Sequence, residues 1–320
     1  MRRNLLLCVL GIGALGWGAA CSGEAGRKLR VVATLFPLYD FARSIGGDLV
    51  DVSLLLPPGA DSHSYEPGPS DLARLAAADL ALYTGDDNEH WVARVREAVG
   101  DGERNGVRKF FDVSAGVKPI AAEDRGGHRD RGDGDHGGEG RFHAFDPHFW
   151  LDPPLAGLMA GNIARALGKL AADEDAFSAI DRNAQRLIED LGRLHRESEA
   201  LVKRAKRKTL VFGGRFAFAH FFRRYGLEQV GVYDGCGPGV EPSVRRIVEV
   251  VRYVNDHAIP AVYHEELAEP RIARAIAAET GAATVMLHSL HNLSRDEFAA
   301  GRTFVDLMRA NIAALAKGLE

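Results

Sequence analysis

Cysteine is scarce in this chain, and its scarcity limits how the fold can be stabilised. The 320 residues include only three cysteines. Cys8 lies in an N-terminal segment predicted to be removed, and Cys21 is predicted to be acylated, so Cys236 would be left without an intrachain partner. We therefore expect no disulfide, and stability must come from core packing, which a chain of this length can supply.

An excess of positive charge is also missing, which argues against a nucleic-acid-binding protein. The formal net charge is -4 at pH 7. The one basic run, residues 203–208, follows a long helical pattern, and cations interact favourably with the C-terminal end of a helix dipole. We prefer this interpretation of the run to a nucleic-acid patch, and we predict no nucleic-acid partner.

The sequence has no apolar run of the ~20 residues that a transmembrane helix needs. The shorter run at residues 5–15 follows Arg2 and Arg3 and precedes small residues, a pattern typical of an export signal. We predict a signal peptide over residues 1–21 and acylation of Cys21, with cleavage without lipidation as the alternative. The protein is then expected in the periplasm or on the outer face of the cytoplasmic membrane, anchored by lipid if Cys21 is acylated.

Strand-like and helix-like segments alternate along the rest of the chain, which predicts an α/β protein with parallel sheets. We place an N-terminal lobe at residues 22–171, a linking helix at 172–207 and a C-terminal lobe at 208–320. A helix of about 30 residues spans ~45 Å, enough to run the height of two lobes. Ser70 is expected to cap a helix. The predicted strands are residues 29–34, 50–56, 79–83, 107–113, 209–212, 230–232, 261–264 and 283–287.

Histidine is concentrated in and just after one polar stretch. His128, His136 and His143 lie in a Gly- and Asp-rich loop at residues 121–145, and His148 follows in an aromatic setting. Neutral imidazole nitrogen is a preferred ligand of zinc. The pattern therefore favours a loop that gathers metal beside a residue that holds it, and the alternative is a solvated linker followed by a core histidine.

Two further histidines follow predicted strands. His63 lies in the loop after the second strand, and His288 follows the last strand. Ligands of open α/β folds bind beyond the carboxyl ends of the strands. One such histidine is more often a core residue, but His63, His148 and His288 together predict a metal site shared by two lobes. His220 is expected on a helix face away from that site.

Several segments resemble one family of proteins. His63 stands in His-Ser-Tyr-Glu-Pro, and His148 stands in Asp-Pro-His-Phe-Trp-Leu-Asp-Pro. The chain resembles the zinc/manganese-binding solute-binding lipoproteins of bacterial ABC metal transporters, the periplasmic zinc-binding protein family. Further matching segments are residues 33–37, 224–227, 241–243 and 306–311.

The resemblance implies two α/β lobes joined by one long backbone helix, with the metal in the cleft between them. It implies a monomeric binding protein, not an enzyme, that captures a divalent ion and delivers it to an ABC transporter permease in the cytoplasmic membrane. Zn²⁺ is favoured over the alternative Mn²⁺ because manganese prefers carboxylate oxygen. By this resemblance, His63 and His148 match the family's two ligands from the N-terminal lobe. His288 falls where most members have an acidic ligand.

The third ligand position departs from the family pattern. Alignment on residues 224–227 places Arg215 where members carry His or Glu. Arginine stays protonated in proteins and cannot ligate a cation. Water could complete the site, or a carboxylate could replace the missing ligand, with Glu265 the first candidate and Glu241 the second. Glu265 could equally neutralise Arg215.

Two other classes of protein also fit a three-histidine site. A zinc-dependent hydrolase would use water as the fourth ligand, with Arg215 stabilising an oxyanion. However, the sequence has no H-E-x-x-H motif and offers no placed general base. A surface adhesin lipoprotein with a stabilising metal would unfold when a chelator removes the metal, whereas a transport protein should stay folded when empty.

Zinc binding is predicted to weaken as the pH falls below about 6, because only the neutral imidazole binds the metal and its ordinary pKa is near 6.5. Zinc titrations over a range of pH should show a dissociation constant that rises towards acid. Binding that does not change with pH would contradict ligation by histidine.

Overall fold

The computed structural model describes residues 27–62, 64–86, 89–118, 120, 146–233 and 242–320. Some of the predictions fall outside these ranges. They concern the signal peptide with Cys21, the predicted ligand His63, the histidines of the 121–145 loop (His128, His136 and His143), the predicted lack of a disulfide at Cys236 and the candidate ligand Glu241.

The N-terminal lobe is built on a parallel sheet. Its order is β2-β1-β3-β6, and the carboxyl ends of these strands lie at one edge. The predicted strand at 107–113 is split in two, because its first part pairs with a short antiparallel neighbour and its second part joins the sheet. The strands are β1 (Leu29–Ala33), β2 (Val50–Leu54), β3 (Leu80–Tyr83), β4 (Glu103–Arg104), β5 (Val107–Arg108) and β6 (Phe110–Asp112).

The helices that cover this sheet begin and end close to the predicted positions, with one difference at a cap. The second helix starts at Pro69, so Gly68 is its N-cap and the predicted Ser70 cap is wrong. Asp71 does the capping instead, since its Oδ2 accepts the Gly68 N–H at 2.9 Å. The helices are α1 (Phe36–Gly46), α2 (Pro69–Ala77), α3 (Trp91–Val99) and α4 (Pro153–Lys169).

The next helix, α5 (Glu174–Arg204), is the longest in the described chain at 31 residues. The Asp173 carboxylate accepts the Ala176 N–H at its start, and Lys203 and Arg204 occupy its last turn. Negative charge at the N-terminal end and positive charge at the C-terminal end both interact favourably with the helix dipole. Its apolar stripe is buried, which is why a helix so polar on its other face is stable here. The buried stripe consists of Ile180, Ala184, Leu187, Leu191, Leu194 and Leu201.

The C-terminal lobe repeats the arrangement with a parallel sheet of order β10-β9-β7-β8. Its strands are β7 (Thr209–Phe212), β8 (Glu228–Gly231), β9 (Ala261–His264) and β10 (Ala283–Met286). Its helices are α6 (Ala219–Tyr225), α7 (Val244–Asp256), α8 (Arg271–Thr280), α9 (Arg295–Ala299) and α10 (Phe304–Leu319). The predicted fold class, two α/β lobes joined by one long helix, is confirmed. Within the described ranges, none of the helices combines the length and the apolar character needed to cross a bilayer.

The C-terminal helix α10 ties the two lobes together. The buried Asp40 of α1 accepts the Phe304 N–H at 2.9 Å, which satisfies a free amide at the start of α10. At its other end, the Tyr263 hydroxyl of β9 donates to the Ala314 carbonyl at 3.0 Å. Gly318 is needed for this close packing, because a Cβ there would lie 2.5 Å from the Tyr263 hydroxyl. The helix thus packs on both lobes.

A buried carboxylate lies just past the carboxyl end of β3. Glu89 Oε2 accepts the Thr84 N–H at 2.6 Å and the Thr84 hydroxyl at 2.7 Å. Burial raises the pKa of Glu89 to about 6, and the neighbouring charge of Asp112 adds to the rise. Glu89 is therefore ionised at neutral pH, and the fold carries the cost of a buried charge.

Protonation of Glu89 should stabilise the protein. Because its pKa in the folded state is raised above the unfolded value, the ionised side chain destabilises above about pH 6, by about 2 kcal/mol. This cost is lost as the pH falls below the unfolded value. Glu89→Gln should therefore be more stable than the wild type by about this amount at pH 8 and lose the advantage near pH 4. Urea unfolding at both pH values measures the difference, with the exposed Glu97→Gln on α3 as the control.

Candidate metal site

His148 lies in the segment at residues 146–153, just before the helix α4, and only 1% of its surface is exposed. Asp146 Oδ1 is 2.9 Å from His148 Nδ1 and also accepts the backbone N–H of His148 at 2.9 Å. A carboxylate bonded to one ring nitrogen fixes the tautomer in which the other nitrogen carries the lone pair. The pair therefore leaves on Nε2 of His148 the lone pair that a metal ion could bind.

The charge of Asp146 is maintained despite its burial. Burial alone would raise the pKa of this carboxyl, but the His148 imidazole and its two hydrogen bonds hold the pKa below its usual range. An ionised Asp146 accepts a hydrogen bond from the Nδ1–H of His148. It would also stabilise the positive charge that a bound cation brings to the ring.

The same segment is bonded across to the C-terminal lobe. The Trp150 Nε1–H donates to the Ser289 carbonyl at 2.9 Å, and Arg224 Nε donates to both oxygens of Asp152 at 2.6 and 2.5 Å. Asp152 is also the N-cap of α4. These contacts hold the segment that carries His148 between the two lobes.

His220 of α6 also faces this segment, contrary to the expectation that it points away. Its Nε2–H donates to the Asp146 carbonyl at 3.1 Å. Burial lowers the pKa of His220, so the ring is neutral at pH 7 with one N–H to donate. This donor supports the backbone next to the Asp146–His148 pair.

His288, predicted from its place after the last strand, is buried and already bonded. Its Nδ1 accepts the Leu290 N–H at 3.0 Å and lies 3.4 Å from Glu266 Oε1, and its Nε2 lies 3.7 Å from Glu297 Oε2. The ring of His148 contacts the rings of Trp150 and His291.

His291 is the histidine of the C-terminal lobe that meets His148. Their ring centroids are 4.6 Å apart with an interplanar angle of 89°, and the indole of Trp150 is 5.1 Å from the His291 ring. The His291 Nδ1 lies 2.8 Å from the Ser289 hydroxyl. The predicted ligand was His288, which directly follows the predicted strand, and the prediction missed His291. The chain turns at Leu290, whose φ of 58° is in the left-handed region. After this turn, His291 rather than His288 lies against the ring of His148.

Glu265 contacts Arg215, but not through the guanidinium. Its Oε2 accepts the backbone N–H of Arg215 at 2.9 Å. No ion pair joins the two side chains, so in this structure Glu265 anchors the loop between β7 and α6. A Cβ on Gly214 would lie 1.9 Å from the same carboxylate oxygen, so only glycine allows this close approach.

A cavity of about 120 Å³ lies beside His291, between the lobes. Asp61 and Ser62, which directly precede His63 in the sequence, line it from the N-terminal lobe. Its other walls include Arg215, Glu265, Glu266 and His291 of the C-terminal lobe. Among the residues described, no group of three or more His, Cys, Asp or Glu side chains is positioned to hold a metal ion. The structure thus brings together His148 and His291, while the predicted ligand His63 lies outside the described ranges.

Two α/β lobes joined by one long helix, with imidazoles from both lobes meeting beside an interlobe cavity, are the architecture of a two-lobed solute-binding protein. The chain matches the family described as "Zinc-uptake complex component A periplasmic" over residues 31–318, and it belongs to this family. The predicted resemblance is confirmed. The predicted role as a binding component of a transporter agrees with this family.

Known relatives agree with this assignment. The "High-affinity zinc uptake system protein ZnuA" of Bacillus subtilis is 32% identical over 315 residues, which cover 98% of this chain and 95% of that protein. The "Zinc-binding lipoprotein AdcA" of Streptococcus pneumoniae is 32% identical over 298 residues, which cover 92% of this chain but 57% of that protein. The chain therefore spans little more than half the length of that relative. The crystal structure of the Zn(II)-bound ZnuA-like domain of this AdcA superposes with a TM-score of 0.72 at 29% identity, covering 92% of this chain and 99% of that domain.

Loss of the carboxylate behind His148 should weaken zinc binding without unfolding the protein. Asp146→Ala is expected to lower zinc affinity about 10- to 100-fold, because such partners orient a ligating histidine and raise its basicity. Calorimetric titration with zinc measures the change. The matched control is Asp173→Ala, which removes the N-cap of α5 and should leave the affinity unchanged. Equal affinities of the Asp146→Ala protein and the wild type would exclude His148 as a ligand oriented by Asp146.

Proposed function

We propose that this protein is the zinc-binding component of a high-affinity zinc uptake system. It binds Zn²⁺ outside the cytoplasm and delivers the ion to the permease of an ABC transporter. The observation that carries the proposal is the perpendicular contact of His148 and His291, one from each lobe, at 4.6 Å between ring centroids. The family match and the zinc-binding relatives support zinc over manganese.

The proposed ligands are His63 and His148 from the N-terminal lobe with a histidine of the 288–291 loop. His291 is favoured over His288 because its ring lies against His148, whereas Nδ1 of His288 already accepts a backbone N–H. Glu265 is retained as a fourth candidate, although its carboxylate accepts the Arg215 N–H. A site of imidazoles without thiolate binds zinc while allowing proton-linked release.

The remaining parts of the proposal concern residues outside the described ranges. Acylation of Cys21 would hold the protein at the membrane, close to the permease. The histidines of the loop at 121–145, His128, His136 and His143, would gather zinc ahead of transfer to the main site, since His-rich tracts bind metal. We propose that the protein works as a monomer, with one ion for each chain.

Substitution of single histidines tests the ligand set. His148→Ala and His291→Ala should each lower zinc affinity by more than the about 10- to 100-fold expected for loss of a partner outside the metal's own ligands. His288→Ala should have a smaller effect. His195→Ala is the matched control, because this ring belongs to α5 and bonds the Tyr225 hydroxyl.

Calorimetry and metal analysis of the dialysed proteins provide the affinity and the stoichiometry. A larger loss for His288→Ala than for His291→Ala would assign the C-terminal ligand to His288. Unchanged zinc binding in all three variants would overturn the proposed function.

A further inference from the structure

Arg215 is a cation at the interlobe cavity without an acidic partner among the residues described. Its backbone N–H is bonded to Glu265, but its guanidinium makes no hydrogen bond or ion pair with the described chain. The side chain is half-buried and lines the same cavity as His291. A guanidinium has five N–H donors in a planar fork, a shape that matches a carboxylate.

Glu266, Ser289 and Asn292, which also line this cavity, already have hydrogen-bond partners. Glu266 accepts the Ser289 N–H at 2.7 Å and the Ser289 hydroxyl at 2.5 Å. The Asn292 amide donates to the Pro57 and Ala60 carbonyls at 2.7 and 2.9 Å. The unused donors of this part of the described lining are therefore concentrated on Arg215.

We propose that the protein binds its metal ion together with a small carboxylate anion, which bridges the metal and Arg215. This inference rests on the proposed function and concerns the form in which the ion is held. The three proposed imidazole ligands leave one open position on a four-coordinate zinc ion while Glu265 stays bonded to the Arg215 N–H and does not ligate. One oxygen of the anion occupies that position, and the carboxylate accepts hydrogen bonds from the Arg215 fork.

The size of the cavity suits such an anion. Its volume is about 120 Å³, and a single water needs about 10–15 Å³ of such space, so an anion of a few heavy atoms fits. Asp61, Arg215 and Glu265 also line a larger cavity of about 970 Å³. The anion can therefore reach Arg215 from that side.

The charges around the cavity set the order of binding. Asp61, Glu265 and Glu266 line it together with Arg215, so carboxylates outnumber the guanidinium and repel an anion. A bound divalent cation cancels this excess of negative charge and removes the repulsion. The anion should therefore bind after the metal, and only weakly to the protein without metal.

The test uses the full chain loaded with Co²⁺, whose visible absorption reports changes among the metal's ligands, and acetate as the probe anion. Acetate should produce a saturable spectral change in the wild type. Arg215→Ala should weaken acetate binding by about 10-fold or more, the loss expected for a charge-assisted hydrogen-bond pair. Arg215→Lys should lose part of the effect, since it keeps the charge and loses the fork. The matched control is Arg271→Ala, because Arg271 lines only the larger cavity. This variant should bind acetate like the wild type.

The outcomes separate this inference from the proposed function. Failure of the wild type to bind Co²⁺ or Zn²⁺ would overturn the proposed function. Tight metal binding with a spectrum indifferent to acetate, or equally sensitive in Arg215→Ala, would overturn the anion site alone. A second measurement needs no variant: calorimetry of zinc binding to the wild type, with acetate or with nitrate at equal ionic strength. Acetate should tighten zinc binding, and equal affinities in the two salts would contradict the inference.

Discussion

The hydrogen bond between the buried Asp146 and His148 sets the geometry on which the site depends. A carboxylate that stays ionised in the interior needs a donor, and the imidazole needs an acceptor to fix its tautomer. The two requirements are met by one contact of 2.9 Å. The backbone around the pair is fixed as well, by the His220 donor and by the N-cap that Asp152 provides for α4. Nε2 of His148, the proposed metal-binding atom, is thus held in position by the protein itself.

The same segment limits how the two lobes can move. Trp150 and Asp152 make hydrogen bonds to the C-terminal lobe, and α10 starts against the buried Asp40 of the N-terminal lobe. With α5 running alongside, a rigid-body opening would break several buried bonds at once. Each buried polar group left without a partner costs about 1–3 kcal/mol. We therefore expect binding and release of the ion to involve local changes in the loops that carry the proposed ligands, rather than wide closure of the two lobes.

The sequence was sufficient for the fold, because its β-branched runs and amphipathic helices carry the pattern locally. β7 and β9 have the predicted bounds, and the long helix begins and ends close to the predicted residues. Capping was less predictable. Ser70 looked like a cap, but Asp71 reaches back to Gly68, and only the path of the chain decides between them. The short α9 depends on the capping box formed by the Ser294 and Glu297 side chains, which a periodicity argument does not detect.

The site was predictable in its chemistry but less so in its details. His148 stood out because of its aromatic surroundings. The choice between His288 and His291 depends on a left-handed residue between them, Leu290, a conformation that sequence patterns rarely reveal for leucine. Arg215 could be recognised as unable to ligate metal. Whether Glu265 pairs with its side chain or its backbone could be decided only in three dimensions.

The backbone bond from Arg215 to Glu265 has a wider consequence. The Glu265 carboxylate accepts the backbone N–H of Arg215, and Gly214 leaves room for it. Because this bond involves only the main chain of residue 215, the shape of the loop does not depend on the side chain at that position. Loop architecture and coordination chemistry are thereby uncoupled. A single codon change could exchange a cationic residue for a donor to the metal without refolding the lobe, so evolution can retune metal preference on an unchanged frame.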